Sequence, residues 1–433
     1  MSVLSAGAPL RPAAETISRS LLVLFSFLSI QAHPVLAQER VTLPAEDRRM
    51  QVTLEDVFTA GAVDGAEWET FSRLSSVAFD REGNLLLLDG ENPRLVKVSP
   101  TGELMAQIGR EGGGPGEFGT PSSMTIAPSG SIVVFDLRQR GFTLFHPDGT
   151  FDRNVPLADG FQSLPGSRLL AHPSGRVLSS GMVLTIVGSG GIRTTGDPSK
   201  RPLHMYSLED GSVETIFEGW APEAPEASGP GIANPGGRAV VYASADQRAF
   251  ESGFHFGVLP DGSLAVVDSV AYAVKVVGED GGVRKILTRP IEPRAVTRRD
   301  QERERERRLA ALESGGGPRV VTVRGGGVST ARASQPSEMA KEQIRKLEFA
   351  DEIPVIQGLA IDLEGRIWLE RSGPEVGERG PIDLLTAEGR YLGSLDRDEM
   401  RIPDAFGPHG LVAFIERDEL DVPRVEVKRL TLG

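Results

Sequence analysis

A glycine-centred turn recurs six times along this chain, and each copy precedes a short apolar run. The turn glycines are Gly83, Gly130, Gly175, Gly262, Gly365 and Gly410. Neighbouring copies are 45 or 47 residues apart, except for two intervals of 87 and 103 residues that contain insertions. A second turn of the same kind follows in five units, centred on Gly102, Gly149, Gly211, Gly281 and Gly389. A period of about 45 residues with two hairpins per unit is typical of a β-propeller.

The first complete unit, Ser76–Gly109, reads as four strands joined by turns, with no helix between them. A lone meander of this size cannot bury both faces, so each unit needs neighbours of its own kind. We therefore predict an all-β fold, a six-bladed propeller of four-stranded antiparallel blades. The sixth unit ends with Val425–Leu430 as its third strand, and Met50–Phe58 alternates apolar and polar residues. We expect this N-terminal strand to pair with the last unit and close the ring.

The N-terminus predicts a secretory signal peptide over residues 1–37. Arg11 and Arg19 precede the apolar run Leu21–Ile30, and the segment ends in Val35-Leu36-Ala37, with small residues at the −3 and −1 positions. An apolar run of ten residues is too short to span a bilayer, so we expect cleavage after Ala37 and no transmembrane segment in the mature chain. The chain is predicted to be exported, to the periplasm or beyond the cell. Residues 38–70 form an N-terminal segment with the closing strand, and residues 71–433 form the propeller.

Two stretches depart most clearly from the repeat. The insertion 297–350 predicts a charged helix over Thr297–Glu313, a Gly-rich gap over Gly315–Gly327 and a short second helix over Ser337–Phe349. Thr297 and Asp300 have the spacing of a capping box. The second stretch, Gly219–Gly237, is rich in Pro, Gly and Ala and includes Trp220, so it predicts a loop. These are the places where we first expect specificity for a partner.

Composition narrows the classes of function. The chain has no cysteine, which excludes disulfides, thiolate metal sites and a cysteine nucleophile. Its net charge of −13 disfavours nucleic acid as a partner and favours a soluble monomer. The charged run at 298–308 nearly balances acids and bases, so it predicts a solvated helix.

Candidate site residues come from one repeated position. The residue six places after the first turn glycine is acidic in four units and is Gly181 or Arg371 in the third and fifth. The four acids are Asp89, Asp136, Asp268 and Glu416. They are expected at one face of the ring, where they could hold a divalent cation or accept hydrogen bonds in their own turns. Arg110, at the start of the Gly-rich loop 109–121, is a further candidate for lining that face. We identify no catalytic constellation and no resident cofactor or metal ligand set.

The units resemble the six-bladed β-propellers of the NHL and TolB-like superfamily, and are similar to an exported bacterial subgroup of such propellers. The resemblance covers about 71–430. It rests on Val77-Ala78-Phe79-Asp80, the loop 112–118, Ile353-Pro354, Gly365-Arg366-Ile367-Trp368 and 388–393. It implies the fold, whereas the superfamily includes scaffolds, ligand binders, lactonases and lyases, so it does not imply one activity. Lactonase-type members use carboxylate and amide ligands at the pore, and lyase-type members bind zinc through histidine.

The sequence therefore favours an exported propeller that binds an unknown small molecule or protein without catalysis. One alternative is a metal-dependent lactonase or hydrolase that uses Asp89, Asp136, Asp268 or Glu416 around a divalent cation. Another is an envelope-associated scaffold that makes contacts through the helical insertion.

Overall fold

The computed structural model describes residues 38–433 apart from 63, 161, 183, 189–190, 196, 198, 223–238, 244–247, 314–318, 325–326, 333–337 and 419–420. Six sheets, each with four antiparallel blade strands, make up a six-bladed propeller, as the repeat predicts, and the sheet of blade 4 carries a fifth strand. The predicted signal peptide lies outside the described residues, as does most of the predicted loop 219–237. Among the described helices, none is long and apolar enough to span a bilayer.

The strands are numbered in chain order. Before the first blade lie β1 (Glu39–Thr42) and β2 (Val52–Ala60). Blade 1 has β3 (Leu74–Phe79), β4 (Leu85–Asp89), β5 (Arg94–Val98) and β6 (Leu104–Ile108). Blade 2 has β7 (Pro121–Ile126), β8 (Ile132–Asp136), β9 (Gly141–Phe145) and β10 (Phe151–Pro156). Blade 3 comprises β11 (Leu170–Ala171) and β12 (Val177–Ser180), then, after an inserted hairpin of β13 (Leu184–Gly188) and β14 (Gly191–Thr195), β15 (Arg201–Tyr206) and β16 (Val213–Gly219).

After β17 (Ala239–Ala243), blade 4 has β18 (His255–Val258), β19 (Leu264–Val267), β20 (Ala273–Val277) and β21 (Val283–Thr288). The insertion contains β22 (Arg294–Ala295), α1 (Arg298–Glu313), β23 (Arg319–Arg324), β24 (Gly327–Arg332), α2 (Glu338–Arg345) and β25 (Glu352–Ile353). Blade 5 has β26 (Ile356–Ile361), β27 (Ile367–Ser372), β28 (Arg379–Leu385) and β29 (Tyr391–Leu395). Blade 6 has β30 (Ala405–Phe406), β31 (Leu411–Arg417) and β32 (Pro423–Leu432), with β2 as its outer strand.

The first strand of each blade lies innermost, around a central channel. β3 lies beside β7 and β30, β11 lies beside β7 and β18, and β18 lies beside β26. Because the strands of a blade alternate in direction, the turns after the second strands and the connections between blades share one face. We call this the crossover face. All five predicted site residues belong to it.

The N-terminal strand closes the ring, which confirms the prediction. β2 pairs antiparallel with β32, from Val52 opposite Leu432 to Ala60 opposite Val425. The strand runs over Val52–Ala60 rather than Met50–Phe58, and a register shift between Asp56 and Phe58 bends it. Alternation in the sequence therefore located the strand but not its ends.

The segment before β2 contacts two further blades. β1 pairs in parallel with β21, which makes blade 4 five-stranded, and this strand was not predicted. The chain then meets the outer strand of blade 5, where the Met50 N–H donates to the Ser394 carbonyl at 2.9 Å. Residues 39–60, within the N-terminal segment, thus cross the outer edges of blades 4, 5 and 6 in turn.

The core lies between blades. Six clusters of buried apolar residues occur in the described part, one at each junction of neighbouring blades. At the junction that closes the ring, Leu411 and Val427 of blade 6 pack with Leu87 and Val96 of blade 1. Burying a leucine side chain fully stabilises a fold by about 1.5–3 kcal/mol, so these interfaces supply much of the stability of a chain without disulfides.

The predicted turns have the expected backbone conformation. All six glycines of the first turns have φ between 73° and 87°. At Gly83 the N–H donates to the Asp80 carbonyl at 3.1 Å, which closes the turn between β3 and β4. Only glycine adopts this left-handed region without steric cost, so the recurrence of glycine is a reliable signal for the repeat.

A buried ionic network joins blades 4 and 5 to the N-terminal segment. The Arg289 guanidinium, whose side chain is 0% exposed, lies 2.8 Å from Asp383 and 2.7 Å from Asp47. Its Nε donates to the Pro44 carbonyl at 2.7 Å. The Tyr272 hydroxyl also donates to Asp383, at 2.9 Å. The network fixes the path of the chain between β1 and β2.

The insertion is partly as predicted. Both helices are present, and Thr297 caps α1: its hydroxyl accepts the Asp300 N–H at 3.2 Å, while the Asp300 carboxylate accepts the Thr297 N–H at 2.9 Å. The stretch predicted as a Gly-rich gap instead contains β23, because Val320-Val321-Thr322-Val323 is a β-branched run. β23 joins β13, β14, β17 and β24 in a five-stranded sheet outside the blades.

Candidate functional site

Asp89 and Asp136 serve as hydrogen-bond acceptors for their own blades. Both side chains are fully buried. Asp89 accepts the N–H groups of Ser72 and Arg73 at 3.0 Å, just before β3, and two more from the turn that follows β4. Asp136 repeats the arrangement in blade 2, where it accepts the Thr120 N–H at 3.0 Å and two N–H groups of the following turn. These carboxylates tie the start of a blade to its second turn.

Asp268 departs from this arrangement. Its Oδ2 accepts the Trp220 N–H at 2.8 Å and lies 2.6 Å from the Lys275 ammonium. Its Oδ1 is buried and has no hydrogen-bond partner among the described residues. Asp268 thus holds the start of the connection from blade 3 to blade 4, and it retains an unused acceptor.

The two remaining candidates are paired at the surface. Glu416 lies 3.0 Å from the Nε of Arg401, and Arg110, with 81% of its side chain exposed, lies 2.8 Å from Glu117. The structure therefore does not bring the predicted residues together: they belong to blades 1, 2, 4 and 6. In the described part of the chain, no three His, Asp or Glu side chains are grouped closely enough to hold a metal ion.

Arg168 reaches across the channel from blade 3. Its Nη1 donates to the Phe256 carbonyl at 3.2 Å and to the Leu359 carbonyl at 3.0 Å, on the innermost strands of blades 4 and 5. The side chain is open to solvent, yet the surrounding protein lowers its pKa, mainly by desolvation and against the opposing charge of Asp404. Solvent contact combined with desolvation is expected for a group that lines an internal channel. Among the described residues, no carboxylate lies within ion-pair distance of Arg168.

A second arginine of blade 3 is also partly desolvated and also lacks an ion-pair partner among the described residues. Arg201 begins β15 at the crossover face, and its nearest polar contact is the Ser252 hydroxyl at 3.5 Å. Desolvation lowers its pKa, although the charges of Glu251 and Asp268 oppose the shift. Neither acid lies within 4.0 Å of it, and the described part of the chain offers no other ion-pair partner.

The imidazole of His255 is affected by the charges of both arginines. It is the first residue of β18, and it is half-buried. Desolvation, followed by the charges of Arg168 and Arg201, lowers the pKa of His255 to about 4. Arg168 contacts the carbonyl of Phe256, the residue after His255, and Arg201 contacts Ser252, three residues before it. Both charges thus act on an imidazole that is neutral at neutral pH. We call Arg168, Arg201 and His255 the arginine cluster.

The arginine cluster can bind an anion. A guanidinium offers five N–H donors in a plane that matches carboxylate and phosphate oxygens. A charge that has lost part of its hydration without gaining a counter-ion costs free energy, and a bound anion would recover it. Of the predicted candidates only Asp268 lies beside this cluster, through its charge on Arg201.

Sequence analysis missed the arginine cluster because its members lie outside the repeated motif. Arg168 precedes the short β11, Arg201 follows the hairpin inserted into blade 3, and His255 follows the long connection from β16. The available signal was position for two of them: Arg201 and His255 flank interruptions of the repeat, whereas Arg168 lies in a regular interval.

A cavity of about 270 Å³ lies at the crossover face of blade 5. Its walls are mostly apolar, formed by Ile291, Ile353, Pro354, Val355, Pro374 and Pro381. It opens beside Arg371, the residue that replaces the usual acid in this unit. Arg371 is committed elsewhere, since it lies 2.6 Å from Asp47 and 3.5 Å from Asp383. Glu292 and Arg294 also line the cavity, and Arg294 is paired with Asp300 at 2.7 Å.

Comparison with known proteins identifies no family. No family model matches the chain, and no curated protein matches it. Solved structures that resemble it include an exported-protein candidate from Bacteroides fragilis NCTC 9343, with 12% identity, a TM-score of 0.45 and coverage of 90% of this chain and 99% of that one. A member of the duf4221 family from Bacteroides vulgatus has 11% identity, a TM-score of 0.45 and coverage of 89% and 99%. Virginiamycin B lyase from Staphylococcus aureus has 12% identity, a TM-score of 0.38 and coverage of 88% and 99%. Similarity at these values carries no information about what this chain binds.

Proposed function

We propose that this chain is an exported, non-catalytic binding protein, and that its ligand places an anionic group between Arg168 and Arg201 at the crossover face. The observation that supports the proposal is that, among the described residues, Arg168 contacts only the carbonyls of Phe256 and Leu359 and Arg201 contacts only the Ser252 hydroxyl. Neither guanidinium group has an ion-paired carboxylate in the described part of the chain. The ligand is a small molecule or the exposed part of a protein, and the propeller acts as a monomer.

The alternative of a metal-dependent lactonase has less support. It would require several of the repeated acids to share a cation, whereas Asp89 and Asp136 each accept backbone N–H groups within their own blade. A scaffold that uses the helical insertion is a further proposal, but no contact in the described part of the chain favours it over ligand binding.

The first test is anion binding by the mature chain, residues 38–433. Thermal unfolding is measured in sodium phosphate and in sodium acetate against sodium chloride at the same ionic strength. A ligand that binds only the folded state raises the midpoint in proportion to ln(1 + [L]/Kd). We expect phosphate or acetate to raise the midpoint, and the variant Arg168→Gln/Arg201→Gln to lose that increase.

The control is Arg176→Gln, because Arg176 belongs to the same blade but is exposed and paired with Glu214 at 3.0 Å. It should retain the full effect of the anion. The His255 resonances provide a second readout, since a bound anion would offset the arginine charges and raise the pKa of His255. Equal midpoints in all three salts, with no change at His255, would contradict the proposal.

A further inference from the structure

A short segment before blade 4 lies beside Arg201. Residues 248–252, which we call the strap, precede β18 and end in Ser252, whose hydroxyl accepts a hydrogen bond from Arg201 at 3.5 Å. Ser252 is 3% exposed, and its hydroxyl donates to the Asp268 carbonyl at 3.4 Å. The strap therefore forms one side of the arginine cluster.

The helical insertion fixes the backbone of the strap. The Ala249 N–H donates to the Glu348 carbonyl at 2.8 Å, and the Ala249 carbonyl accepts the Ala350 N–H at 2.9 Å. Between these two partners lies Phe349, and the guanidinium of Arg305, on α1, lies 4.7 Å from the centre of its ring. The position of the strap thus depends on residues that follow α2 and on a residue of α1.

Phe250, in the middle of the strap, has a strained backbone conformation. Its φ is 67°, in the left-handed region that bulky residues rarely adopt. Such a conformation costs free energy and persists only where surrounding contacts hold it. The ring of Phe250 lies 5.7 Å from that of Phe349, which is one such contact. The strap is therefore held in place by its surroundings rather than by its own local preference.

An ion pair within the strap involves the acid that is near Arg201. The Nε of Arg248 lies 2.9 Å from Glu251, whose side chain is 6% exposed. The charge of Glu251 acts on Arg201, but no ion pair joins these two residues in the described part of the chain. A buried carboxylate without a counter-ion is costly, so Glu251 would pair with another cation if Arg248 were removed. Arg201 is a nearby guanidinium that could accept it.

We infer that the strap keeps Arg201 available to an anion, and that Arg248 is a positioning residue that holds Glu251 away from Arg201. This inference rests on the proposed function and adds how the site is kept open. Arg248 acts through Glu251 and does not touch the anion. Without Arg248, Glu251 pairs with Arg201 and excludes the anion from it.

The experiment measures the affinity of the mature chain, residues 38–433, for phosphate and for acetate by calorimetry at constant ionic strength. Arg248→Gln should weaken binding about 10-fold if Glu251 leaves Arg201 free in about one-tenth of the molecules, because the apparent Kd is inversely proportional to the competent fraction. Arg248→Gln/Glu251→Gln should bind at least as tightly as the unmodified chain, because the competing carboxylate is gone. Arg248→Lys should retain most of the affinity, since lysine can still pair with Glu251.

Two controls separate a contact ion pair from a general effect of charge. Arg176→Gln removes an exposed arginine of blade 3 that is paired with Glu214, and it should leave both affinities unchanged. The comparison is then repeated at higher ionic strength, where distant charges are screened more strongly than partly buried pairs. The ratio of the affinities of the unmodified chain and of Arg248→Gln should remain about 10-fold.

A second readout requires no ligand. In Arg248→Gln, a paired Arg201 would act less strongly on the imidazole of His255, so the pKa of His255 should rise. Arg248→Gln/Glu251→Gln should return this pKa to its value in the unmodified chain. Nuclear magnetic resonance titration of His255 measures both changes.

The outcomes separate this inference from the proposed function. If Arg248→Gln binds the anions as tightly as the unmodified chain, the inference is wrong while anion binding stands. If its weaker binding disappears at higher ionic strength, Arg248 acts only as a distant charge, and the inference is also wrong. If the unmodified chain binds neither phosphate nor acetate, the proposed function fails, and the inference fails with it.

Discussion

Replacing Arg289 by methionine tests how strongly the N-terminal segment is anchored. The substitution removes a guanidinium that is 0% exposed and that contacts Asp383, Asp47 and the Pro44 carbonyl. Methionine fills similar volume without charge, so the main effect is electrostatic. Removing one partner of a buried ion pair costs about 3–5 kcal/mol, because the other charge is left uncompensated.

The other contacts of Asp383 place the expected cost at the lower end of this range. After the substitution Asp383 still accepts the Tyr272 hydroxyl at 2.9 Å, and the Nε of Arg371 still lies 3.5 Å from it. These contacts offset part of the loss, so we expect the free energy of unfolding to fall by about 3 kcal/mol. With a urea m-value of about 3 kcal/mol/M or more, the unfolding midpoint falls by at most about 1 M.

A double-mutant cycle with Asp383→Asn tests whether the uncompensated charge of Asp383 causes the loss of stability. Alone, this change should destabilise the protein, because Arg289 loses its buried partner. Together with Arg289→Met it should regain stability relative to Arg289→Met alone, because the uncompensated charge is gone. The control is Arg49→Met, whose side chain is 71% exposed and pairs with Glu399, and which should cost less than about 1 kcal/mol. If Arg289→Met costs no more than Arg49→Met, the reasoning about burial is wrong.

Three further predictions concern other parts of the fold. Gly393→Ala should destabilise the protein by about 1–3 kcal/mol in thermal or urea unfolding. Gly393 has φ 141°, and an added Cβ would lie 2.4 Å from the Met50 side chain. The control Gly113→Ala should be nearly neutral, because a Cβ added at Gly113 would meet no atom within 4 Å. Asp136→Ala should cost about 1.5–3 kcal/mol by the loss of hydrogen bonds to a charged acceptor, equally with Ca²⁺ and with EDTA; a loss of stability seen only with Ca²⁺ would instead indicate a metal site. The pKa of His255 is lowered from 6.5 to about 4, so between these pH values the unfolded state binds more protons than the folded state. The free energy of unfolding should therefore fall as the pH decreases from 6.5 to 4. His255→Gln should flatten this part of the pH dependence, and an unchanged slope would refute the assignment.

The fold was predictable because its signals are local and repeated. Each turn glycine adopts a left-handed backbone conformation that other residues rarely adopt. Each short apolar run forms a strand of a blade. The closing strand could be located because β32 would otherwise have an unpaired edge. β1 could not be predicted in the same way, since its four residues show no distinctive pattern and its partner, β21, already belongs to a complete blade.

The candidate site was less predictable for a physical reason. The repeated acids Asp89 and Asp136 recur because every blade needs its turn fixed, and recurrence identifies structural roles rather than functional ones. The arginine cluster is recognised because, among the described residues, no carboxylate contacts the guanidinium group of Arg168 or of Arg201. Only three-dimensional neighbours show that a charge is unpaired. Sequence analysis had selected Asp268, whose charge acts on Arg201, only as one of the repeated acids. It had noted Trp220 because this residue lies in a connection that interrupts the repeat.

The closure of blade 6 has a consequence for how the chain folds. β2 is among the first described strands to be synthesised, and its partner β32 is the last, so their pairing joins Val52 to Leu432 across nearly the whole described chain. Blades 1 to 5 can form their own hairpins as they emerge, but the ring remains open until β32 has been synthesised. Contacts of such high sequence separation form slowly, and meanwhile β2 and the edge of blade 1 stay exposed to wrong partners. Synthesis of β32 is therefore required for closure, since a product that stops before β32 cannot close its ring.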